Sequence, residues 1–430
     1  MTIAQHDHVQ LLGSSVSRRS FLYQVAATAC AAGTLSLRDL VTLEAAELKK
    51  QGKHLVVLWM AGGPSQFECF DPKTGTDSGG ETKSIKTSVS GIQIAEGWDV
   101  TAKTMQDIAL IRSMTNKEGS HPRATYQLHT GYAPTGSVKH PAFGCSLAKE
   151  LANPDFDLPA VVSVGPTQGS AFLGVNFEPF VVDQPGSLPQ NTRVVTDTDR
   201  YRRRLGVLNQ LEDEFASRGG QQVVENHRQL YAKTAKMVTS SNLKAFQIDD
   251  EPQALKDRYG NSDFGRGCML ARRLVETGVT FVEVSMRGRM GNWDTHQDNF
   301  DRTRGLVADV DPGFGTLVSD LKDRGLLEKT VVLWIGEFGR TPKINPRGGR
   351  DHYPRVFNAA IAGGGIKGGQ VIGASSKDGS DIVDNPVTPN DLFCTVCQAL
   401  SVDAAKENMS PLGRPMKIVD GGTPVKKLFG

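Results

Sequence analysis

The chain has no surplus of charge of either sign: 49 Lys and Arg stand against 47 Asp and Glu. Binding a phosphate backbone requires a basic excess, so nucleic acid is excluded as a partner. The burst Arg200, Arg202, Arg203 and Arg204 does not restore one. It is flanked by Asp197, Asp199, Glu212, Asp213 and Glu214 and reads as one solvated helix face. Cysteine is scarce and irregularly spaced, with six in 430 residues. Cys30 falls in the leader, and the remaining Cys69, Cys145, Cys268, Cys394 and Cys397 form no disulfide framework. Cys394-Thr-Val-Cys397 has no second pair to complete a four-ligand site. It lies in an apolar helical pattern that starts at Thr388 and Pro389, which makes these buried helix cysteines. Beyond the leader, no run is long and apolar enough for a permanent membrane span, and nothing repeats at a solenoid period.

The amino end carries an address. Ser17-Arg18-Arg19-Ser20-Phe21-Leu22 precedes the mildly apolar stretch from Val25 to Leu37, the pattern of a twin-arginine export signal. Residues 1–46 are therefore expected to be signal and linker. The export machinery would be a partner, and the mature protein would be periplasmic or extracellular. The remaining residues, 47–430, exceed the usual size of one hydrophobic core, so a single large α/β domain with an insertion is expected.

The richest stretch is Thr330 to Pro354. Val331-Val-Leu-Trp-Ile335 is a short apolar run rich in β-branched and aromatic residues, the signature of a strand buried on both faces. Similar runs are His54–Met60, Ile108–Arg112, Leu158–Val164, Val279–Ser285, Ala359–Ala362 and Gln370–Gly373. Helical periodicity marks 265–277, 298–324 and 389–400, and a polar helical insertion occupies about 197–260. Gly165 to Asn191, rich in Gly and Pro, reads as a long surface excursion. Strands alternating with helices predict a mostly parallel sheet covered on both faces.

In such a sheet ligands gather beyond the carboxyl ends of the strands. Four of those ends carry metal-type side chains: Asp71; Asp294 with His296; Glu337; and Asp351 with His352. Asp294 and His296, two apart, point the same way from an extended segment. Carboxylates mixed with imidazoles suit a divalent cation of intermediate hardness, which polarises an ester oxygen and lowers the pKa of a nucleophile. Each residue also has an ordinary reading: a strand-end Asp as a helix cap, Glu337 as the ion-pair partner of Arg340. His54, His129, His140 and His227 have no such company and read as surface or core histidines.

Ala61-Gly-Gly-Pro-Ser65, Phe70-Asp-Pro72, Trp293-Asp-Thr-His296, Gly336-Glu-Phe-Gly-Arg-Thr-Pro342 and Gly349-Arg-Asp-His352, with the leader, resemble the exported bacterial family of domain of unknown function 1501. That family is similar to sulfatases and alkaline phosphatases. The resemblance implies an alkaline-phosphatase-like three-layer α/β/α sandwich and a metal centre of Zn, Ca, Mg or Mn. It further implies Glu337 and His352, Asp294 and His296, and Asp71 as ligands. The chain departs from sulfatases in Gly119-Ser-His-Pro-Arg-Ala-Thr-Tyr-Gln-Leu-His-Thr-Gly131, where His121 stands in place of the nucleophilic Cys. Ser120 or Thr125 as hydroxyl nucleophile, direct attack by water, and His121 as a further ligand all remain open. Arg123 offers a planar fork for a sulfate or phosphate group. The implied function is a metal-dependent hydrolase of phosphate or sulfate esters acting on a small-molecule or glycan substrate. The alternatives are a non-catalytic, metal-stabilised binding or scaffold protein and, from Cys394 and Cys397, an electron-transfer protein.

Overall fold

The computed structural model describes residues 8–11, 14–17, 52–189, 192, 197–286 and 291–430. The chain divides into two compact units, Met1–Gln51 and Gly52–Gly430. In the first, His8–Leu11 pairs antiparallel with Ser14–Ser17. The paired arginines and the apolar stretch of the leader lie outside the described residues.

The second unit is built on one eight-stranded sheet. Its strands in chain order are β1 (His54–Trp59), β2 (Ile108–Met114), β3 (Val161–Val164), β4 (Phe180–Val182), β5 (Phe281–Ser285), β6 (Thr330–Ile335), β7 (Phe357–Ala362) and β8 (Gln370–Ile372). Across the sheet they run β8-β2-β7-β6-β1-β5-β3-β4. All neighbours are parallel except those of β7, which is antiparallel to both β6 and β2. The parallel pairs need crossovers, and helices supply most of them. Between Ile335 and Phe357 no helix intervenes, so β7 returns antiparallel.

Alternation along the strands sends side chains into two separate cores. Val56, Leu58, Val282, Val284, Val332 and Trp334 face one of them, and Leu55, Val57, Trp59, Val331, Leu333 and Ile335 the other. The nine α-helices described in this unit are α1 (Asp99–Thr104), α2 (His121–Thr130), α3 (Phe143–Leu151), α4 (Thr198–Phe215), α5 (Gln221–Val238), α6 (Gln253–Tyr259), α7 (Asp263–Thr277), α8 (Asn299–Asp323) and α9 (Pro389–Ala399). The first core is closed by α7 and α8 through Phe264, Leu270, Leu274, Val310, Phe314 and Leu317. The second is closed by α3 and α9 through Phe143, Leu147, Leu392 and Val396. The result is the expected α/β/α sandwich with a mostly parallel sheet. Helices α4 to α6 fill the predicted insertion, and Cys394 and Cys397 are buried free cysteines on α9.

One expectation needs correction. The stretch from Gly165 to Asn191 is not all surface excursion, because β4 within it extends the sheet edge beside β3. Three residues with one side chain partly buried and one exposed give no buried apolar run for a sequence reading to detect. Among the described residues no helix is long and apolar enough to cross a membrane.

Candidate metal centre

Beyond the carboxyl ends of β1, β5 and β6, three loops are stitched together by their backbones. Trp293 N bonds to Ala61 O at 2.9 Å, and Arg350 N to Thr295 O at 3.0 Å. Gly339 and Arg340 pair antiparallel with Tyr353 and His352, which sets His352 opposite Arg340. Two close approaches require glycine. Gly62 has φ of +106°, and a Cβ there would meet Asp294 N at 2.6 Å; a Cβ on Gly349 would meet the His296 carbonyl carbon at 2.0 Å. A fourth element, α2, brings in His121 as its first residue.

The centre is organised around Asp294 Oδ1. His121 Nε2 lies 3.2 Å from it, His296 Nε2 3.1 Å and His352 Nε2 3.2 Å, while the buried Arg340 donates from Nη2 at 2.7 Å. Behind each imidazole stands an acceptor for Nδ1. It is Glu337 Oε1 at 2.7 Å for His121, Asp351 Oδ1 at 2.9 Å for His296 and the Gly119 carbonyl at 2.9 Å for His352. An oxygen that only accepts fixes the proton on Nδ1, so in the neutral rings every Nε2 presents a lone pair. His296 Nε2 and His352 Nε2 are 3.0 Å apart, a distance at which both cannot carry protons.

The cluster is short of donors. Three Nε2 atoms and a carboxylate oxygen converge, and among the described residues Arg340 is the one fixed cation bonded there. Among the described residues His121 Nε2, although 3.2 Å from Asp294 Oδ1, makes no hydrogen bond, and the buried Glu337 Oε2 makes none either. Ligand atoms of His121, Asp294 and His352 all lie within 4.8 Å of one another, so the three could hold a metal ion, with His296 alongside. Imidazole nitrogens backed by carboxylates or carbonyls are the usual arrangement of metal-ligating histidines.

The charges respond accordingly. The hydrogen bond to Glu337 raises the pKa of His121 against the effect of burial. Burial, with Arg340 and His121 close by, lowers that of His352. Burial works against ionisation of Asp294, yet Arg340, His121 and His352 hold its carboxyl well below the usual carboxylate range. Phe338 closes one wall, its ring 4.8 Å from that of His121 and 4.6 Å from that of His352. The other side is open to solvent, with side-chain exposures of 29% for His121, 31% for Asp294, 34% for His296 and 26% for His352.

The model of a family described as protein of unknown function (DUF1501) matches residues 52–429. The chain belongs to that family. No curated protein matches it. Among solved structures, this DUF1501 chain is similar to a sulfatase from Pseudoalteromonas sp., with 13% identity over 84% of this chain and 72% of that one and a TM-score of 0.37. It is similar also to a phosphonate monoester hydrolase of Agrobacterium radiobacter, with 13% identity over 88% and 77% and a TM-score of 0.34. A third is a protein in the alkaline phosphatase superfamily from Vibrio parahaemolyticus, with 15% identity over 82% and 67% and a TM-score of 0.35. Likenesses of this size carry no argument about chemistry, which rests on the residues of the DUF1501 chain itself.

Of the candidate residues, Asp294, His296, Glu337, Asp351, His352 and His121 come together, with Glu337 and Asp351 standing behind imidazoles. Asp71 makes its contacts with other side chains: it is buried and bonded to Lys73 at 3.0 Å and to Ser375, with Arg112 at 3.7 Å. Ser120 is exposed at the start of α2, and Arg123 is exposed and held by Glu118 through two hydrogen bonds of 2.7 Å. The main participant not foreseen is Arg340. The ordinary reading of Glu337 paired the two; instead Arg340 bonds to Asp294 and to the carbonyls of Gly62, Gly63 and Arg350. The Gly-Glu-Phe-Gly-Arg-Thr-Pro motif contains it, and that was the available signal. His129, two turns along α2 from His121, is a core histidine whose Nε2 lies 3.2 Å from Glu283 on β5.

Proposed function

We propose that the chain is a metal-dependent hydrolase of phosphate or sulfate esters, with His121, Asp294 and His352 holding a divalent cation and His296 beside them. The observation that carries the reading is the set of three imidazoles, each with Nδ1 committed to an acceptor and Nε2 turned toward one carboxylate oxygen. Imidazole donors favour Zn or a neighbouring transition metal over Mg or Ca, which prefer all-oxygen shells. When bound, such an ion supplies Lewis acidity to an ester oxygen and to water.

The protein's own part is placement. Arg340 anchors Asp294, Glu337 and Asp351 hold the rings of His121 and His296, and the Gly119 carbonyl holds that of His352. The partial exposure of all four side chains supports a site that a solvent-borne small-molecule or glycan ester can reach, whereas structural metal sites are closed. A second reading, a metal-stabilised protein without turnover, draws on a different observation: among the described residues no hydroxyl or thiol is hydrogen-bonded to the side chains of the centre. Export by the twin-arginine route belongs to the same proposal, and Arg18→Lys with Arg19→Lys should retain the protein in the cytoplasm.

The purified chain is expected to contain bound Zn-type metal in stoichiometric amount and to hydrolyse an aryl phosphate or aryl sulfate. His352→Ala should lose both. Metal without turnover across a panel of such esters selects the second reading, and absence of metal binding defeats both.

A further inference from the structure

The candidate metal centre takes its first residue from α2 and makes no use of the helix's other end. Within α2, Ala124 and Leu128 are the buried apolar side chains. That is little apolar surface to fix a helix whose first residue, His121, must meet Asp294 and His352. Two carboxylates supply the rest. At one end His121 Nδ1 meets Glu337 Oε1 beyond β6 at 2.7 Å, and at the other His129 Nε2 meets Glu283 Oε1 on β5 at 3.2 Å. β6 and β5 flank β1 in the sheet, and Trp59, the last residue of β1, lies with its ring centroid 4.2 Å from that of His129. From His121 to His129 the helix rises about 12 Å, close to the roughly 10 Å between strands two apart. The helix is tied down at both ends of a span across three strands.

His129 is committed at both ring nitrogens. Nδ1 lies 2.8 Å from the Thr125 carbonyl, which only accepts, and Nε2 faces a carboxylate. A neutral imidazole has one N–H and cannot donate to both. Either the ring carries two protons or Glu283 carries one. Thr167 Oγ1 donates to Glu283 Oε2 at 3.0 Å, and Ser285 Oγ stands 3.4 Å from Oε1. Hydrogen bonds to a carboxylate favour its ionised form, which places the shared proton on His129. Burial works against that charge, yet Glu283, with the Thr125 carbonyl and Glu337, raises the pKa of the ring. On the α3 side the Cys145 thiol, pushed up by burial, adds no charge.

We infer, on the reading of the centre as a metal site, that His129 and Glu283 form a buried imidazolium–carboxylate pair that pins α2 to the sheet, which makes both of them positioning residues for His121. An apolar pair of like volume would close the layers as well, since a buried ion pair adds little net stability over such a replacement. It would not fix the rotation and axial position of the helix, because apolar contacts are non-directional. A charged hydrogen bond fixes both, and His121 has to fall within reach of Asp294 and His352.

The full chain is isotopically labelled at the histidine nitrogens and read by NMR at neutral pH, with His129→Gln to assign the signal. An ordinary histidine, of pKa about 6.5, is mostly neutral there, whereas His129 should be protonated at both nitrogens. Zn affinity is then measured by chelator competition for wild type, Glu283→Asp and Glu283→Gln, with circular dichroism and urea midpoints as fold controls. Glu283→Gln keeps the shape and loses the charge. It should weaken Zn binding about threefold to tenfold at unchanged stoichiometry, less than the loss of a residue bonded directly to a ligand. Glu283→Asp keeps the charge and should fall between, whereas a role in packing alone would make Gln the better replacement. Equal Zn affinity in wild type and Glu283→Gln, tighter binding by Glu283→Gln than by Glu283→Asp, or a neutral His129 ring overturns the inference and leaves the metal reading standing. The spectrum of wild type decides the pair even if a variant fails to fold. A wild-type chain that binds no Zn overturns the metal reading and the positioning role with it.

Discussion

Glu337→Gln is the most informative single change at the candidate metal centre, because it alters charge while keeping shape. Glu337 Oε1 accepts from Gly62 N at 2.8 Å and from His121 Nδ1 at 2.7 Å, and a glutamine carbonyl can keep both bonds. The negative charge behind His121 is what disappears. Removing an outer partner of this kind costs about 10- to 100-fold in metal affinity, or roughly 1.4 to 2.7 kcal/mol. The loss can be read as stability. With free metal at about 100 times the wild-type Kd, binding stabilises the fold by about 2.7 kcal/mol; a tenfold weaker site leaves about 1.4 kcal/mol, and a hundredfold weaker one about 0.4 kcal/mol. Competition against a chromophoric chelator gives the Kd for Zn, and urea midpoints with and without metal give the stabilisation. The expected result is unchanged stoichiometry with affinity reduced by one to two orders of magnitude. Equal affinity in wild type and Glu337→Gln would refute the role of Glu337 behind His121. Complete loss of the site would show instead that Glu337 is itself a ligand, through the buried and unpaired Oε2.

Other consequences follow from the same geometry. Arg340→Met removes four hydrogen bonds and strands Asp294, so it should cost about 3 to 5 kcal/mol in a denaturant titration whether or not metal is present. Gly62→Ala needs a Cβ at positive φ, 2.6 Å from Asp294 N, and should lose metal binding together with at least about 1 to 3 kcal/mol of stability. Burial alone would raise the pKa of Glu251, but its hydrogen bonds to Arg272 and Arg273 outweigh this and hold it below its usual value. Its contribution to stability is therefore present at neutral pH and is lost as the pH falls below about 4, so Glu251→Gln should flatten the acid limb of the urea midpoint against pH. Burial pushes the thiols of Cys394 and Cys397 up. Thiol titration of the native protein at neutral pH should accordingly be slow and insensitive to prior reduction; a fast, reductant-dependent pair would revive the electron-transfer reading.

Much of the sheet was legible because burial on both faces leaves a plain mark. Val331–Ile335 and His54–Trp59 are apolar at every position or nearly so, and they pair in parallel register at its centre. What escaped was set by connection and edge. The direction of β7 depends on a loop of 336–356 that folds back over the carboxyl ends without a helix, a feature of chain routing and not of any residue's propensity. β4 is short, lies at the edge and is partly exposed, so periodicity has nothing to grip. At the site, the two-residue spacing of Asp294 and His296 and the strand-end position of Glu337 pointed to the rim of the sheet where these side chains converge. Asp71 satisfied the same rule, but Lys73, two residues on, together with Arg112 and Ser375 takes up its carboxylate. A strand-end position says where a carboxylate can reach, not which neighbour reaches it first.

His121 shows how the remaining ambiguity narrows. By the resemblance to sulfatases it stands where their nucleophilic Cys does, and an imidazole there could act on the ester or serve as a further ligand. The choice depends on which nitrogen holds the proton, and that is decided 216 residues away in sequence, where Glu337 Oε1 accepts from Nδ1. With Nδ1 so engaged, only Nε2 is left to act. It faces Asp294 and the neighbouring His352, from which it is separated by ring centroids 4.3 Å apart. A nitrogen hemmed in by a carboxylate and a second imidazole is poorly placed to attack an ester and well placed to share a cation with them. His121→Gln should therefore weaken metal binding in step with any loss of hydrolysis. A variant that keeps full Zn affinity while losing turnover would return His121 to the nucleophile or base it resembles by position.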